Sequence, residues 1–405
     1  MAKNKQKKWA KPRHRFYTAI LKPIIKVLIK IRYNAKCERF KEQGKRKYVV
    51  LMNHQTAFDQ FFIASSFKGP LYYLASEDLF SKGFVSKIIN YLVAPIPIKK
   101  QSTDVRAVMN VLRVAKEGNS IALAPEGNRT FSGRTVYINP AIVGLVQKLK
   151  LPIAFYRIEG GFGIQPRWAH KLRKGKMRAY VSKVLEPEDY INLSKEELCR
   201  IIEKELFVDE TKISGIYKSS RPAEYVERAM YVCPYCGLSE FRSEKKVVQC
   251  LKCGKEIEYL PDKSLKGVGF DFAYKYLADW YDYQVDYVCK LNLSEYVDTP
   301  MYVDEARLSR VVVYKYKKNI SKNTKIELYG DKIVLKYNNL EKIMAFDDIT
   351  AVTVLGKNKV NIYYENNIYQ LKGDVRFNGL KYVNIYQHYV NDRKGDSKDV
   401  RFLGI

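Results

Sequence analysis

The chain has 405 residues, too many for one ordinary domain and suited to two to four. Apolar residues make up 46% and aromatics 13%, which supplies material for sizeable cores and excludes global disorder. Lys and Arg number 72 against 43 Asp and Glu, and the resulting charge of +29 calls for an anionic partner: nucleic acid, an anionic membrane surface or a phosphorylated substrate.

The charge is concentrated at the N-terminus. Residues 1–50 hold 17 Lys and Arg, and only Glu38 and Glu42 oppose them. Residues 1–47 form a basic arm. Lys22, Lys26 and Lys30 recur every four residues, so a helix places them on one face, while Ile20, Ile24, Val27, Leu28 and Ile31 fall largely on the rest. Pro23 suits a first helical turn, so the helix is expected to start near it. A basic stripe beside a bulky aliphatic face suits a helix lying in the membrane interface, and the preceding Lys3, Lys5, Lys7, Lys8, Lys11, Arg13 and Arg15 suit anionic headgroups. Lysines interrupt the apolar stretch at 16–32, which fits neither a bilayer span nor a secretory signal. The expected location is cytoplasmic, peripheral on the inner face of the cell membrane.

An apolar run, Tyr48–Met52, predicts a buried strand. It leads into Asn53-His54-Gln55-Thr56-Ala57-Phe58-Asp59. With His54 in a loop and Asp59 in the first turns of a following helix, the two side chains can meet. A carboxylate on one ring nitrogen leaves the other as a base. Ile121–Pro125 predicts a second buried strand, followed by Glu126-Gly127-Asn128-Arg129. Gly lets the backbone come close to a phosphate, and Arg offers a planar pair of donors for it.

Together, His-x4-Asp and Pro-Glu-Gly-x-Arg some seventy residues later resemble the glycerolipid acyltransferases, most closely the lysophospholipid acyltransferases of 1-acyl-glycerol-3-phosphate acyltransferase type. A second block of that family, Gly-x-x-Phe-Ile-x-Arg, corresponds to Ala94-Pro95-Ile96-Pro97-Ile98-Lys99-Lys100, where Lys100 replaces Arg. A fourth corresponds to Leu151-Pro152-Ile153-Ala154-Phe155-Tyr156, ending in Gly160-Gly161. The resemblance continues through 174–181 and a helix near Ser194–Phe207, and covers about residues 20–215. It implies an α/β acyltransferase domain at 48–215, a mixed sheet flanked by helices. It implies His54 as general base oriented by Asp59, and acceptor phosphate held by Arg129 with Lys100, in a loop shaped by Glu126 and Gly127. It implies acyl-CoA or an acyl carrier protein as donor and a lysophospholipid as acceptor. The charged stretch 167–178 is expected to be a hairpin edge feeding a strand rather than a second membrane-facing patch.

Cys233-Pro234-Tyr235-Cys236-Gly237 and Cys250-Leu251-Lys252-Cys253-Gly254 are two CxxCG turns. Facing each other, they bring four thiolates together, which suits a structural Zn²⁺ site with no coordination position left open. The segment 228–262 resembles a rubredoxin-like zinc ribbon, in which iron is the alternative metal. Glu240, Glu244, Glu256 and Glu258 dilute its basic residues, which argues against nucleic acid as the partner. Residues 265–296 show helical spacing and form a helical connector (263–300). Asp279, Asp282 and Asp286 are expected on one solvated face. From 301 to 395 short strands are expected at Val311–Tyr316, Ile326–Tyr329, Lys332–Tyr337, Ala351–Leu355, Val360–Tyr364 and Ile368–Leu371. A closing helix follows. This β-rich unit resembles a PH-like domain, and residues 396–405 form a tail.

The sequence thus points to an acyltransferase making phosphatidic acid from lysophosphatidic acid. The alternatives are acylation of glycerol 3-phosphate or another lysophospholipid, or, from another class, a zinc-ribbon nucleic-acid-binding protein with an inactive acyltransferase domain.

Overall fold

The computed structural model describes residues 8–76, 79–80, 83–98, 104–135, 137–312 and 316–394. The N-terminal half runs α1 (Pro12–Tyr33), β1 (Ala35–Cys37), β2 (Val49–Met52), α2 (Asp59–Ser66), β3 (Leu71–Ser76), α3 (Phe84–Leu92), β4 (Ile96–Ile98), α4 (Val105–Lys116), β5 (Ser120–Leu123), α5 (Ala141–Leu149), β6 (Ile153–Glu159), α6 (Gly161–Ile164), β7 (Met177–Leu185), α7 (Pro187–Tyr190) and α8 (Lys195–Leu206). Its seven strands form one sheet in the order β1-β7-β6-β2-β5-β3-β4. All neighbours are parallel except β6 and β7, so this is a mixed sheet flanked by helices. Its central strands β2 and β5 are buried throughout, which is why they appear in the sequence as unbroken apolar runs.

Register decides where the loops go. Leu51 of β2 lies opposite Leu123 of β5. His54 and Glu126 each follow three residues later, so the two loops leave the sheet side by side at the carboxyl ends of parallel strands, where α/β sheets place their ligands.

Helix α1 starts at Pro12, not near Pro23. Pro12 takes the favoured first-turn position, and Pro23 is carried inside the helix because contacts on both sides of it hold the turn. Lys22 bends back to the body, where its ammonium donates to the Phe67 carbonyl. The face turned to the protein is His14, Lys22, Ile25, Ile29 and Tyr33. The aliphatic residues face outward: Phe16, Ile20, Ile24, Val27 and Leu28 are all exposed, and Ile31 reaches 77%. Helix α3 packs beside α1 and exposes Phe84, Val85, Ile88 and Tyr91. Among the described residues no helix is long and apolar enough to cross a membrane.

The C-terminal half begins with the short pair β8 (Val232–Cys233) and β9 (Gly237–Leu238). A small antiparallel sheet follows, β10 (Phe241–Glu244), β11 (Val247–Cys250), β12 (Glu256–Tyr259) and β13 (Leu265–Gly267). The expected helix over 265–296 is confined to α9 (Leu277–Cys289). Phe270 and Tyr274 keep helical spacing only by coincidence; they stack on Tyr235, Phe272 and Tyr283 beside Gly267 and Gly269. A seven-stranded antiparallel sheet follows: β14 (Tyr302–Val312), β15 (Tyr316–Leu328), β16 (Lys332–Tyr337), β17 (Leu340–Ala345), β18 (Ile349–Leu355), β19 (Lys359–Tyr364) and β20 (Asn367–Gly373), ordered β17-β16-β15-β14-β20-β19-β18. Helix α10 (Leu380–Lys394) packs on β18. The expected strand Val311–Tyr316 falls across the end of β14 and the start of β15, and its middle, 313–315, lies outside the described residues. Strand β17 went unforeseen, although the turn before it carries a recognisable signal: Asn338 and Asn339 both have positive φ, as a two-residue hairpin turn requires.

Candidate active site

His54 and Asp59 are in contact, Nδ1 to Oδ2 at 2.7 Å. The Asp59 side chain is fully buried and that of His54 is 25% exposed. Burying a carboxylate demands donors, and the loop supplies them locally. Gln55 N–H donates to Oδ2 at 2.8 Å, Thr56 N–H to Oδ1 at 2.9 Å and Thr56 Oγ1 to Oδ1 at 2.6 Å. Asp59 opens α2, where a negative charge is also favoured by the helix dipole. Its position is therefore fixed independently of His54. The ring is oriented with Nδ1 toward the carboxylate.

The second loop clasps the first. Glu126 Oε1 accepts the His54 N–H at 2.7 Å, and Thr130 N–H donates to the His54 carbonyl at 3.3 Å. Glu126 is buried, and burial pushes its carboxyl up to about 8, against the backbone N–H that lowers it; Asp59 raises it further. The end of β6 backs onto the same loop. A Cβ on Gly161 would come within 2.8 Å of Gln55 Cβ, so this approach needs glycine, and Phe162 N–H then donates to Gln55 Oε1. Burial holds the Arg129 guanidinium below the usual range, against the nearby Asp59 carboxylate, which raises it. Nη1 of Arg129 is buried and makes no hydrogen bond among the described residues, an unsatisfied donor that an anionic ligand would complete. Gly127, with φ +71, carries the turn between Glu126 and Arg129.

Residues 30–158 match the family model described as Acyltransferase, a span that holds His54, Asp59, Glu126 and Arg129. The chain carries an acyltransferase-family domain. No curated protein matches it. Among solved structures, the chain is similar to the 1-acyl-sn-glycerophosphate (LPA) acyltransferase PlsC from Thermotoga maritima, at 20% identity over 48% of this chain and 78% of that one, with a TM-score of 0.42.

Lys100, expected to join Arg129, lies outside the described residues. Ala94, at the glycine position of the acyltransferase family's second block, keeps a left-handed backbone with φ +41. Thr56, Gln55 and the backbone-binding role of Glu126 escaped the sequence reading. The Thr-x-x-Asp spacing, in which the carboxylate accepts the threonine's amide N–H three residues back, was the available signal for Thr56. The charged stretch 167–178 does feed a strand, β7, which pairs antiparallel with β6, but it is not an open edge throughout: Arg167 and Arg173 are buried and donate to the carbonyls of Val354 and Pro222. Asp279 and Asp282 likewise are not simply solvated, since both bind Arg134.

The four cysteines come together, all Sγ atoms within 4.8 Å of one another. Cys233 and Cys253 are 3.7 Å apart and Cys236 and Cys250 3.5 Å. Sulfurs held ~2.3 Å from a tetrahedral metal lie ~3.8 Å from each other, so the donor set fits one ion. Gly237 and Gly254 have φ +75 and +73, the conformation that folds each CxxCG turn onto its thiolates.

Proposed function

We propose that this protein transfers a fatty acyl group from acyl-CoA or acyl carrier protein to the free sn-2 hydroxyl of a lysophosphatidic acid, yielding phosphatidic acid. His54 Nε2 removes the hydroxyl proton as the oxygen attacks the thioester carbonyl. Asp59 holds the ring and stabilises the imidazolium. When the tetrahedral intermediate collapses, the C–S bond breaks and the thiolate leaves with the proton from His54. No acyl-enzyme is required. Arg129 holds the acceptor phosphate, with Lys100 assisting, and Glu126 and Gly127 set the loop.

The observation that carries this reading is the His54–Asp59 pair beside a buried guanidinium whose Nη1 makes no hydrogen bond among the described residues. The outward apolar face of α1 and α3, joined to the basic arm, supports a peripheral seat on an anionic membrane, at the inner face of the cell membrane. The Cys233, Cys236, Cys250 and Cys253 cluster supports a structural Zn²⁺ in a ribbon. The antiparallel sheet closed by α10 supports a PH-like unit. Purified protein assayed with labelled acyl-CoA and lysophosphatidic acid tests the reading. His54→Ala should lower turnover by about 10²- to 10⁴-fold, and a variant as active as the parent would remove His54 as the base.

A further inference from the structure

The anion loop, residues 126–135, is gripped from outside its own sheet at three points. Phe131 is buried in a core shared with the C-terminal half, together with Trp168, Tyr231 and Trp280. Arg134 donates through Nε to Asp209 at 3.1 Å and through Nη2 to Asp279 of α9 at 3.1 Å, and its Nη1 meets Asp282 one turn further along α9. Arg167 lies under the loop. Its Nη1 donates to the carbonyl of Arg129 itself at 2.9 Å, its Nη2 to the carbonyl of Val354 in β18 at 3.3 Å, and its guanidinium stacks over the Phe131 ring at 4.1 Å. The turn after β18 reinforces the arrangement from the other side, with Lys357 Nζ donating to the Ala169 carbonyl at 2.5 Å. An accessory unit merely fastened to an enzyme would be expected to grip outer helices. Here the fastening falls on the residues flanking Arg129, at 129, 131 and 134.

We propose that Arg134 and Arg167 are positioning residues through which the C-terminal half sets the Arg129 loop and so tunes affinity for the phosphate-bearing acceptor. The proposal rests on Arg129 as the phosphate holder. It gives the C-terminal half a role in the reaction without any of its residues touching substrate. In that reading the phosphate contact belongs to Arg129, with Lys100 assisting. A loop pinned at its backbone carbonyl, its ring and its trailing arginine presents that guanidinium in one place, and freeing it costs binding rather than chemistry.

The full-length protein is compared with Asp279→Asn/Asp282→Asn, which alters only α9, and with Arg167→Met and Arg167→Lys. The α9 pair and Arg167→Met should raise the KM for lysophosphatidic acid roughly two- to thirtyfold. The acyl-CoA KM and kcat should hold, and Arg167→Lys should recover part of the loss. Amide hydrogen exchange, read without turnover, should quicken across residues 127–134 and stay unchanged in β2 and β6. An unchanged acceptor KM in an active enzyme overturns the proposal. So does a joint loss of kcat and both KM values with a lower melting temperature, which would mark general destabilisation. If the parent protein acylates neither lysophosphatidic acid nor glycerol 3-phosphate, the proposed function falls instead. The exchange result then decides the loop's dependence on its own: quickened exchange supports it and unchanged exchange refutes it.

Discussion

Glu126 shows how strongly a single position can be committed to geometry. Its carboxyl is buried, yet its one hydrogen-bond role is to accept the His54 backbone N–H, a task that needs an oxygen and no charge. Burial lifts its pKa to about 8, so the folded protein keeps the proton from its ordinary value near 4.5 up to that pH while the unfolded chain gives it up. Across this window the unfolded state binds fewer protons, and stability falls as pH rises. The contribution is complete below about 4.5 and lost on passing through about 8. Glu126→Gln keeps the acceptor and removes the ionisation. Urea unfolding at pH 5, 7 and 9 should show the variant gaining on the parent as pH rises, on the order of a few kcal/mol by pH 9. Parallel curves would show that Glu126 is not the group responsible.

Among the elements, α1 departs most from what a globular protein does with an amphipathic helix, because it turns its aliphatic residues away from the body. Paired with α3, whose Phe84 is 75% exposed, it offers a two-helix apolar surface rather than a single inserted stripe. Leu28→Glu, Ile31→Glu and Phe84→Glu should each weaken sedimentation with anionic vesicles by about tenfold, leaving the melting temperature nearly unchanged because these side chains are mostly exposed. If only the α1 changes mattered, α3 would not belong to the surface; if none did, the membrane seat would lie elsewhere. The sequence showed the aliphatic face but not which way it points, since periodicity defines a stripe and not its neighbour. Strands β2 and β5 were evident for the opposite reason: burial on both faces leaves a continuous apolar run. The His54–Asp59 contact was evident because it closes within five residues. The contacts of Arg134 with α9 and of Arg167 with β18 were not, because their partners lie 145 and 187 residues away and leave no local pattern. Helix α9 was overextended because aromatic residues at 270 and 274 mimic helical spacing while packing in an irregular segment.

At the scale of the molecule, the four-cysteine cluster and the loop that carries Arg129 belong to one chain of contacts. Cys233 ends β8, and the preceding Val232 is held by α9 on both sides of its peptide. Its N–H goes to Gln284 Oε1 at 3.1 Å, and its carbonyl receives Trp280 Nε1 at 2.9 Å. One helical face further, Asp279 and Asp282 of the same helix hold Arg134. The core around Trp280 also contains Cys233, Cys250 and Phe131. Thiolates brought together without a cation repel, so metal removal should loosen β8 first and α9 with it. Cys253→Ser is the informative variant, because Cys253 is exposed while Cys233 and Cys250 are buried, so it deletes one ligand without opening a core cavity. It should lower the melting temperature by on the order of 10 °C, as should dialysis of the parent against a chelator, and restoring Zn²⁺ should recover the parent but not the variant. Elemental analysis of the purified parent should find one metal per chain. Protein that is free of metal and equally stable with and without chelator would mean that the four thiols merely share a turn, and that the C-terminal half keeps its shape by packing alone.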